Sequence, residues 1–168
     1  VQTVLNVTNT DTNLQACWYS TDNGATNTTY TCGANVTGLS SGEGSVRWRA
    51  YANDSAGNVN TSASVSFFVD SLVPGVQFVS PTETNGSYLP RSNVIINVTA
   101  SDTNLVNITI ELFNTTSLIN RTTTTGSPNY INVTTPRDGV YYFNATATDT
   151  LNNVNATLNR TVTVDTTN

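Results

Sequence analysis

Residues 6–14 read NVTNTDTNL and residues 97–105 read NVTASDTNL, so one polar phrase returns 91 positions later. A second match follows at an offset of 95: WRAYANDSAGNVNTSASVSFFVD (48–70) lies over FNATATDTLNNVNATLNRTVTVD (143–165). Asp54 falls on Asp149, Asn58 on Asn153, Val59 on Val154 and Asp70 on Asp165. The offset grows by four because the second copy has the longer middle. A period of about 90–95 residues is the size of one β-sandwich, so the chain reads as two sandwiches in tandem, residues 1–70 and 71–168.

The local pattern agrees. The chain has 32 Thr and 24 Asn but no Lys, His or Met, and the strong helix formers are scarce. Thr, Val and Ile are β-branched and fit a pleated surface, which makes the chain all-β. Apolar residues alternate with polar ones, as strands with one buried face require. Ile96, Val98 and Ala100 form one inward set, with Leu5 and Val7 as counterparts. Val106, Ile108, Ile110 and Leu112 form the next. Tyr141, Phe143, Ala145 and Ala147 match Val46, Trp48, Ala50 and Ala52. Val65, Phe67 and Val69, then Val162 and Val164, close the two copies. Arg160 interrupts the last alternation, which predicts a bulge or a strand end there.

The stretch ANDSAGNVNTSASVSFFVDS, with its A-x-D-x-A-G-N turn and terminal V-D, resembles the closing strands of Ig-like tandem repeats in archaeal and bacterial surface proteins. The resemblance runs over both copies and implies two tandem Ig-like β-sandwich domains of a stalk, filament or adhesin. In its terms residues 4–10 and 94–101 are strand B, and 15–20 and 106–112 strand C. Residues 45–53 and 140–148 are strand F, and 61–69 and 156–164 strand G. Trp48 lies on F rather than on C, and Cys17 and Cys32 are too close in sequence to be the B–F pair of antibody domains.

Only 10% of the residues are charged, against roughly 25% in an ordinary soluble domain. The net charge is −5, which gives no electrostatic footprint for nucleic acid. Solubility must come from elsewhere, and Asn-Val-Thr names the source: it is an N-glycosylation acceptor. There are fourteen acceptors, at Asn6, Asn27, Asn35, Asn53, Asn60, Asn85, Asn97, Asn107, Asn114, Asn120, Asn132, Asn144, Asn155 and Asn159. Ser and Thr make up 47 of 168 residues, so 24 Asn would meet about seven acceptors by chance. The excess, and the alternation of Asn6, Asn97, Asn107, Asn132 and Asn144 with inward residues, predict covalent N-linked glycans on an extracellular, cell-surface protein. The density of acceptors points to an archaeal source.

Cys17 and Cys32 in such a protein predict a disulfide. A zinc site needs four ligands and is not expected, given the lack of His and of further Cys. The acidic loops offer two readings. Asp102 and Asn104 lie between strands B and C, and Asp149 and Asn153 between F and G, at one end of an Ig sandwich; Asp70 arrives there on the linker. Asp11, Asn13, Asp54 and Asn58 are the first copy's set. These oxygens either cap turns, the commoner role of Asx, or gather around Ca²⁺. No other cofactor is expected, and with no His, no Lys and no carboxylate pair on one strand the chain is not expected to be an enzyme.

Two features bear on partners. Outward positions Trp18, Arg47, Arg49 and Tyr51 form an acceptor-free patch of the residue types enriched in interfaces. The chain also opens on Val1 with four residues ahead of Leu5, whereas 25 lie between Asp70 and Ile96 and include the strand GVQFVS. The chain therefore reads as a mature or excised piece whose first domain lacks a strand A of its own. That strand comes from upstream sequence or from another subunit. The expected function is a structural module that joins copies of itself through the first domain. The alternative is an adhesin gripping sugar or another cell, with Trp18 as its platform.

Overall fold

The computed structural model describes residues 4–135 and 137–167. Its named elements are all strands, and they fall into two compact units, Val1–Ser71 and Leu72–Asn168. No helix among the described residues is long and apolar enough to cross a membrane. Each unit is an Ig-like sandwich; the seven strands of the first recur in order in the second, which begins with two more.

Unit 1 holds β1 (Val4–Leu5), β2 (Leu14–Ser20), β3 (Thr28–Tyr30), β4 (Val36–Thr37), β5 (Gly44–Asp54), β6 (Val59–Thr61) and β7 (Val65–Val69). β3, β2 and β5 form one layer, with β6 and β7 following one another along β5. β1 and β4 form the other. Between the layers sit Leu5, Trp48 and Ala50, with Val7, Tyr19, Val36, Leu39, Val46 and Phe67 packed around them.

Unit 2 holds β8 (Gly75–Phe78), β9 (Ser87–Leu89), β10 (Asn93–Ser101), β11 (Leu105–Asn114), β12 (Leu118–Thr124), β13 (Asn129–Thr134), β14 (Gly139–Asp149), β15 (Val154–Ala156) and β16 (Arg160–Val164). One layer runs β13-β10-β8 and the other β12-β11-β14-β16-β9, with β15 also on β14. Its core is far larger: thirteen buried apolar residues, among them Ile96, Val98, Ile108, Ile110, Leu112, Phe143 and Val162. At roughly 25 cal/mol per Å² of apolar surface removed from water, this difference predicts the higher melting transition for unit 2.

The final strand of each unit is broken at the same place. After β6, the Ser62 N–H donates to the Ala50 carbonyl (2.8 Å) while Ser62 Oγ accepts from the Ala50 N–H (2.9 Å). After β15, Thr157 does the same with Ala145 (2.9 and 3.0 Å). A hydroxyl replaces a backbone carbonyl in the ladder, and the strand resumes at Val65 or Arg160. Arg160 thus begins a strand, as its break in the alternation implied.

Three expectations are corrected. Val106 is 36% exposed, because a register shift between Leu105 and Asn107 turns Leu105 inward instead. Val65 is 54% exposed, since it is the first residue after the break. The strand expected over residues 4–10 stops at Leu5. Its counterpart β10 runs from Asn93 to Ser101 with β13 on one edge and β8 on the other. Alternation alone does not make a strand; an edge to pair with does.

Candidate functional site

None of the fourteen acceptor asparagines is buried. The one buried Asn among the described residues is Asn129, 1% exposed, whose amide nitrogen holds the Ile108 and Thr122 carbonyls; it is not an acceptor. The acceptors differ in how free the amide is. Asn6, Asn27, Asn35, Asn60, Asn85, Asn132 and Asn159 are exposed. Asn97 is half-buried: Nδ2 donates to the Ser80 carbonyl (2.8 Å) and Oδ1 is enclosed. Nδ2 also donates at Asn53 (to Gln15), Asn144 (to Asn159) and Asn155 (to the Pro74 carbonyl). Sugar joins through Nδ2, so these four amides are the worst poised. Alternation had favoured Asn97 and Asn144; it reports which way a residue points, not what its amide holds.

The repeated acidic phrases meet in pairs, one pair in each unit. Asp11 Oδ1 accepts from the Asn13 N–H (2.6 Å), and Asp102 Oδ1 from the Asn104 N–H (2.7 Å). Asp54 Oδ1 takes the Ala56 and Asn58 N–H groups (2.9 and 2.8 Å), and Oδ2 takes Asn58 Nδ2 (2.8 Å). Asp149 repeats this with Leu151 and Asn153 (2.8, 2.9 and 2.7 Å). The two loops are then tied together, Ser55 N–H to the Asn13 carbonyl and Thr150 N–H to the Asn104 carbonyl, both at 3.0 Å. The recurring phrase is a loop clasp, cut from Asx turns.

These bonds favour the ionised carboxyl. The Asn58 side chain, then its N–H, hold Asp54 below the usual carboxylate range. At Asp149 burial pushes upward, but the bonds from Asn153, Leu151 and Asn152 outweigh it and the pKa is again lowered. In the β2–β3 hairpin the Thr26 hydroxyl, then the Thr26 N–H and the Ser20 hydroxyl, bring Asp22 down to about 2. A carboxyl with a depressed folded pKa contributes its stability above its unfolded pKa, about 3.9, and loses it as pH falls through the folded value. Melting temperatures of both units are therefore expected to hold from pH 6 to about 4 and to fall toward pH 2. Asp22→Asn should flatten the acid limb of unit 1 alone, as calorimetry across that range reads directly.

Calcium has narrower support. In unit 2 one carboxylate oxygen of Asp102 and one of Asp149 lie within 4.8 Å of each other, beside Asn104. Asp70 follows β7 at the end of unit 1. Two carboxylates already engaged in turns are few for an ion that takes six to eight oxygens. Melting with Ca²⁺ and with chelator separates the roles: an ion site moves the unit 2 transition, whereas turn caps leave it in place.

Cys17 on β2 and Cys32, just after β3, form a disulfide. The expected patch lies on the same layer. Trp18 and Tyr51 are cross-strand partners, stacked at 5.7 Å with planes 6° apart. Each covers the other, so Trp18 is half-buried rather than exposed. Arg49 stands opposite Ser20 and is half-buried; Arg47 is exposed, its Nε donating to Ser66 Oγ (3.3 Å). The four residues do form one face of β2 and β5.

Sequence reasoning missed some polar anchors. Glu83 is buried, takes the Ile95 N–H (2.9 Å) and pairs with Arg91 at 2.6 Å. Tyr141 is buried with its hydroxyl donating to the Arg137 carbonyl (2.7 Å), the corner bond of Ig-like strand F. Unit 1 has Val46 there and cannot make it. Ser20, 1% exposed, gathers the Gly24 N–H and the Asp22 carboxylate. An N-G pair at Asn23 and Gly24, both at positive φ, was the available hairpin signal.

No protein-family model matches the chain, and no curated protein does. Similar solved structures include an engineered protein (16% identity over 55% of this chain and 20% of that one, TM-score 0.43). Another is the fibronectin(III)-like modules of Clostridium thermocellum CbhA (19%, 94% and 80%, TM-score 0.39). A third is dimeric latent PorU from Porphyromonas gingivalis (12%, 98% and 17%, TM-score 0.41). The chain spans a fifth or less of the first and third of these. The fold assignment rests on the ladders described above.

Proposed function

We propose that this chain is a structural module of a heavily N-glycosylated extracellular surface assembly, a filament, stalk or surface layer, of the kind found on archaeal cells. It performs no catalysis and joins copies of itself through the Trp18, Arg47, Arg49 and Tyr51 face of unit 1. The observation that carries this reading is the acceptor distribution: fourteen acceptor asparagines with none buried, in a chain with few charges. A glycan coat supplies the solubility that charge does not. The disulfide suits an oxidising compartment.

Glycopeptide mapping of native material should find sugar on several acceptors. The exposed Asn27, Asn35 and Asn132 should be occupied ahead of Asn97, Asn53 and Asn155. A bare 17.9 kDa chain from the native source would overturn the reading. Self-association has its own test. Arg47→Glu, at the exposed position of this face, should weaken assembly without moving the unit 1 melting temperature by more than about 4 °C, because a single surface substitution usually stays within roughly 0.5 kcal/mol.

One observation favours a second reading. The parallel Trp18–Tyr51 pair offers a flat aromatic surface, and such surfaces stack on sugar rings as well as on proteins. Selective signal on a glycan array, lost in Trp18→Ala, would make unit 1 an adhesin.

A further inference from the structure

Unit 2 shows what unit 1 is shaped to hold. In unit 2, β8 lies antiparallel on β10, with Phe78 opposite Val98, Gln77 opposite Thr99, Val76 opposite Ala100 and Gly75 opposite Ser101. Val76 and Phe78 turn into the core, and Phe78 meets Phe143 edge-on at 5.3 Å. The Pro74 carbonyl just before β8 accepts from Asn155 Nδ2 (2.9 Å). The repeat maps these positions onto Val7, Thr8, Asn9 and Thr10 for the ladder, Trp48 for the aromatic, and Asn60 for the amide. In unit 1 a groove of about 650 Å³ runs along Val7–Thr10, Ala50, Ala52 and Asn60. Among the described residues no strand lies in it, and the ladder of β1 ends at Leu5. The edge backbone is present, with Val7, Ala50 and Ala52 as apolar points in a largely polar lining, and the alternating side chains that cover the matching positions in unit 2 are not.

We infer that this groove is a strand-receiving site. Its occupant is an extended segment of the β8 type, Val and an aromatic two residues apart, carried by a neighbouring polypeptide of the assembly. It pairs antiparallel with Val7–Thr10 in the register of β8, so that its valine faces Asn9 and its aromatic lies over Val7. Main-chain bonds give such strand addition its affinity, and pockets for alternate side chains give its specificity. Unpaired backbone N–H and C=O groups at an open edge are templates for this pairing. The outer edge of β7 extends the site. In unit 2 the chain continues from β8 to β9, which pairs parallel along β16, whereas β7 pairs only with β5 among the described residues. The inference rests on the assembly reading for the source of the strand, though not for the existence of the site.

The test adds a peptide of residues 73–80, VPGVQFVS, to the full chain. The lower melting transition, that of unit 1, should rise by roughly 5–10 °C with free peptide at about ten times its Kd. The unit 2 transition should stay fixed, and NMR shifts should map to Val7–Thr10 and Ala50–Ala52. Asparagine at both the Val76 and Phe78 positions of the peptide should abolish the effect. Ala52→Leu, which fills the groove from its floor, should leave the chain folded and blunt the response. No shift, or an equal shift with the doubly substituted peptide, would overturn the site. Peptide binding by a chain that is monomeric when isolated from its source would overturn the assembly reading and leave the site standing. Assembly without peptide binding would do the reverse.

Discussion

Trp48→Ala is expected to leave unit 1 unfolded while unit 2 melts as before. Trp48 is 1% exposed and meets Phe67 edge-on at 5.1 Å. The other buried members of its cluster are only Leu5 and Ala50. Truncating a buried tryptophan costs about 3–5 kcal/mol, from lost transfer energy and from the cavity left behind. A unit of about 70 residues has roughly 3.5–10 kcal/mol in all, so the loss takes about a third of its stability at the upper end and all of it near the lower end, where a core of three buried residues puts unit 1. The same change at the matching position of unit 2, Phe143→Ala, removes a similar amount from a core of thirteen buried residues, and that unit should stay folded with a lowered transition. Trp48→Phe is the control. Phenylalanine already serves at position 143, and the Trp48 indole N–H is buried with no protein partner, so its removal offsets part of the lost volume. Calorimetry of the three variants reads all of this. A unit 1 transition that survives in Trp48→Ala, less than about 1 kcal/mol weaker, would show that Trp48 does not anchor the unit.

This asymmetry between the copies was only half legible in the sequence. The inward sets on β10, β11 and β14 could be read from alternation because each strand has neighbours on both edges, so burial follows the period of two. The same rule failed over residues 6–10. Val7 alternates as Val98 does, but without a β8 beside it the segment has no ladder to join. Local pattern encodes a preference for strand, while the strand itself is a contact between distant segments. Val106 and Val65 failed for a related reason. Each sits at a discontinuity in pairing, and neither the bulge at Leu105 nor the hydroxyl substitution at Ser62 has a periodic signature. The loop clasp was legible as a recurrence, D-T-N with D-x-x-x-N, and the turn-capping role assigned to Asx gave its chemistry. The burial of Glu83 was not legible, since a charged residue in a polar stretch gives no sign that its partners, Arg91 and the Ile95 N–H, will enclose it.

Opening the Cys17–Cys32 bond should lower the stability of unit 1 by about 3 kcal/mol, the chain-entropy value for a loop of this length, here a sequence separation of 15. For a unit of this size that is a fall of roughly 12–24 °C in its transition. The structure shows why unit 1 depends on the bond where unit 2 does without one. β3 has three residues and pairs at three positions with β2, Cys17 facing Tyr30 across the ladder. Its counterpart β12 has seven residues, pairs at six positions with β11, and adds the Arg121–Glu111 ion pair across the strands. A three-residue edge strand with exposed threonines cannot hold itself by burial, and the disulfide fixes its end to a residue that is 1% exposed. Reduction, or Cys17→Ala with Cys32→Ala, should therefore release β3 first. Amide hydrogen exchange at Thr28–Tyr30 should rise before exchange at β5, and the Ser20–Asp22–Thr26 bonds of the hairpin should loosen with it. Alanine is the right replacement at position 17, because serine would bury a hydroxyl in place of sulfur. Unit 2 has no cysteine and serves as the internal reference. If reduction moves the unit 1 transition by less than about 4 °C, the short ladder suffices to hold the edge, and the staple contributes under about 1 kcal/mol.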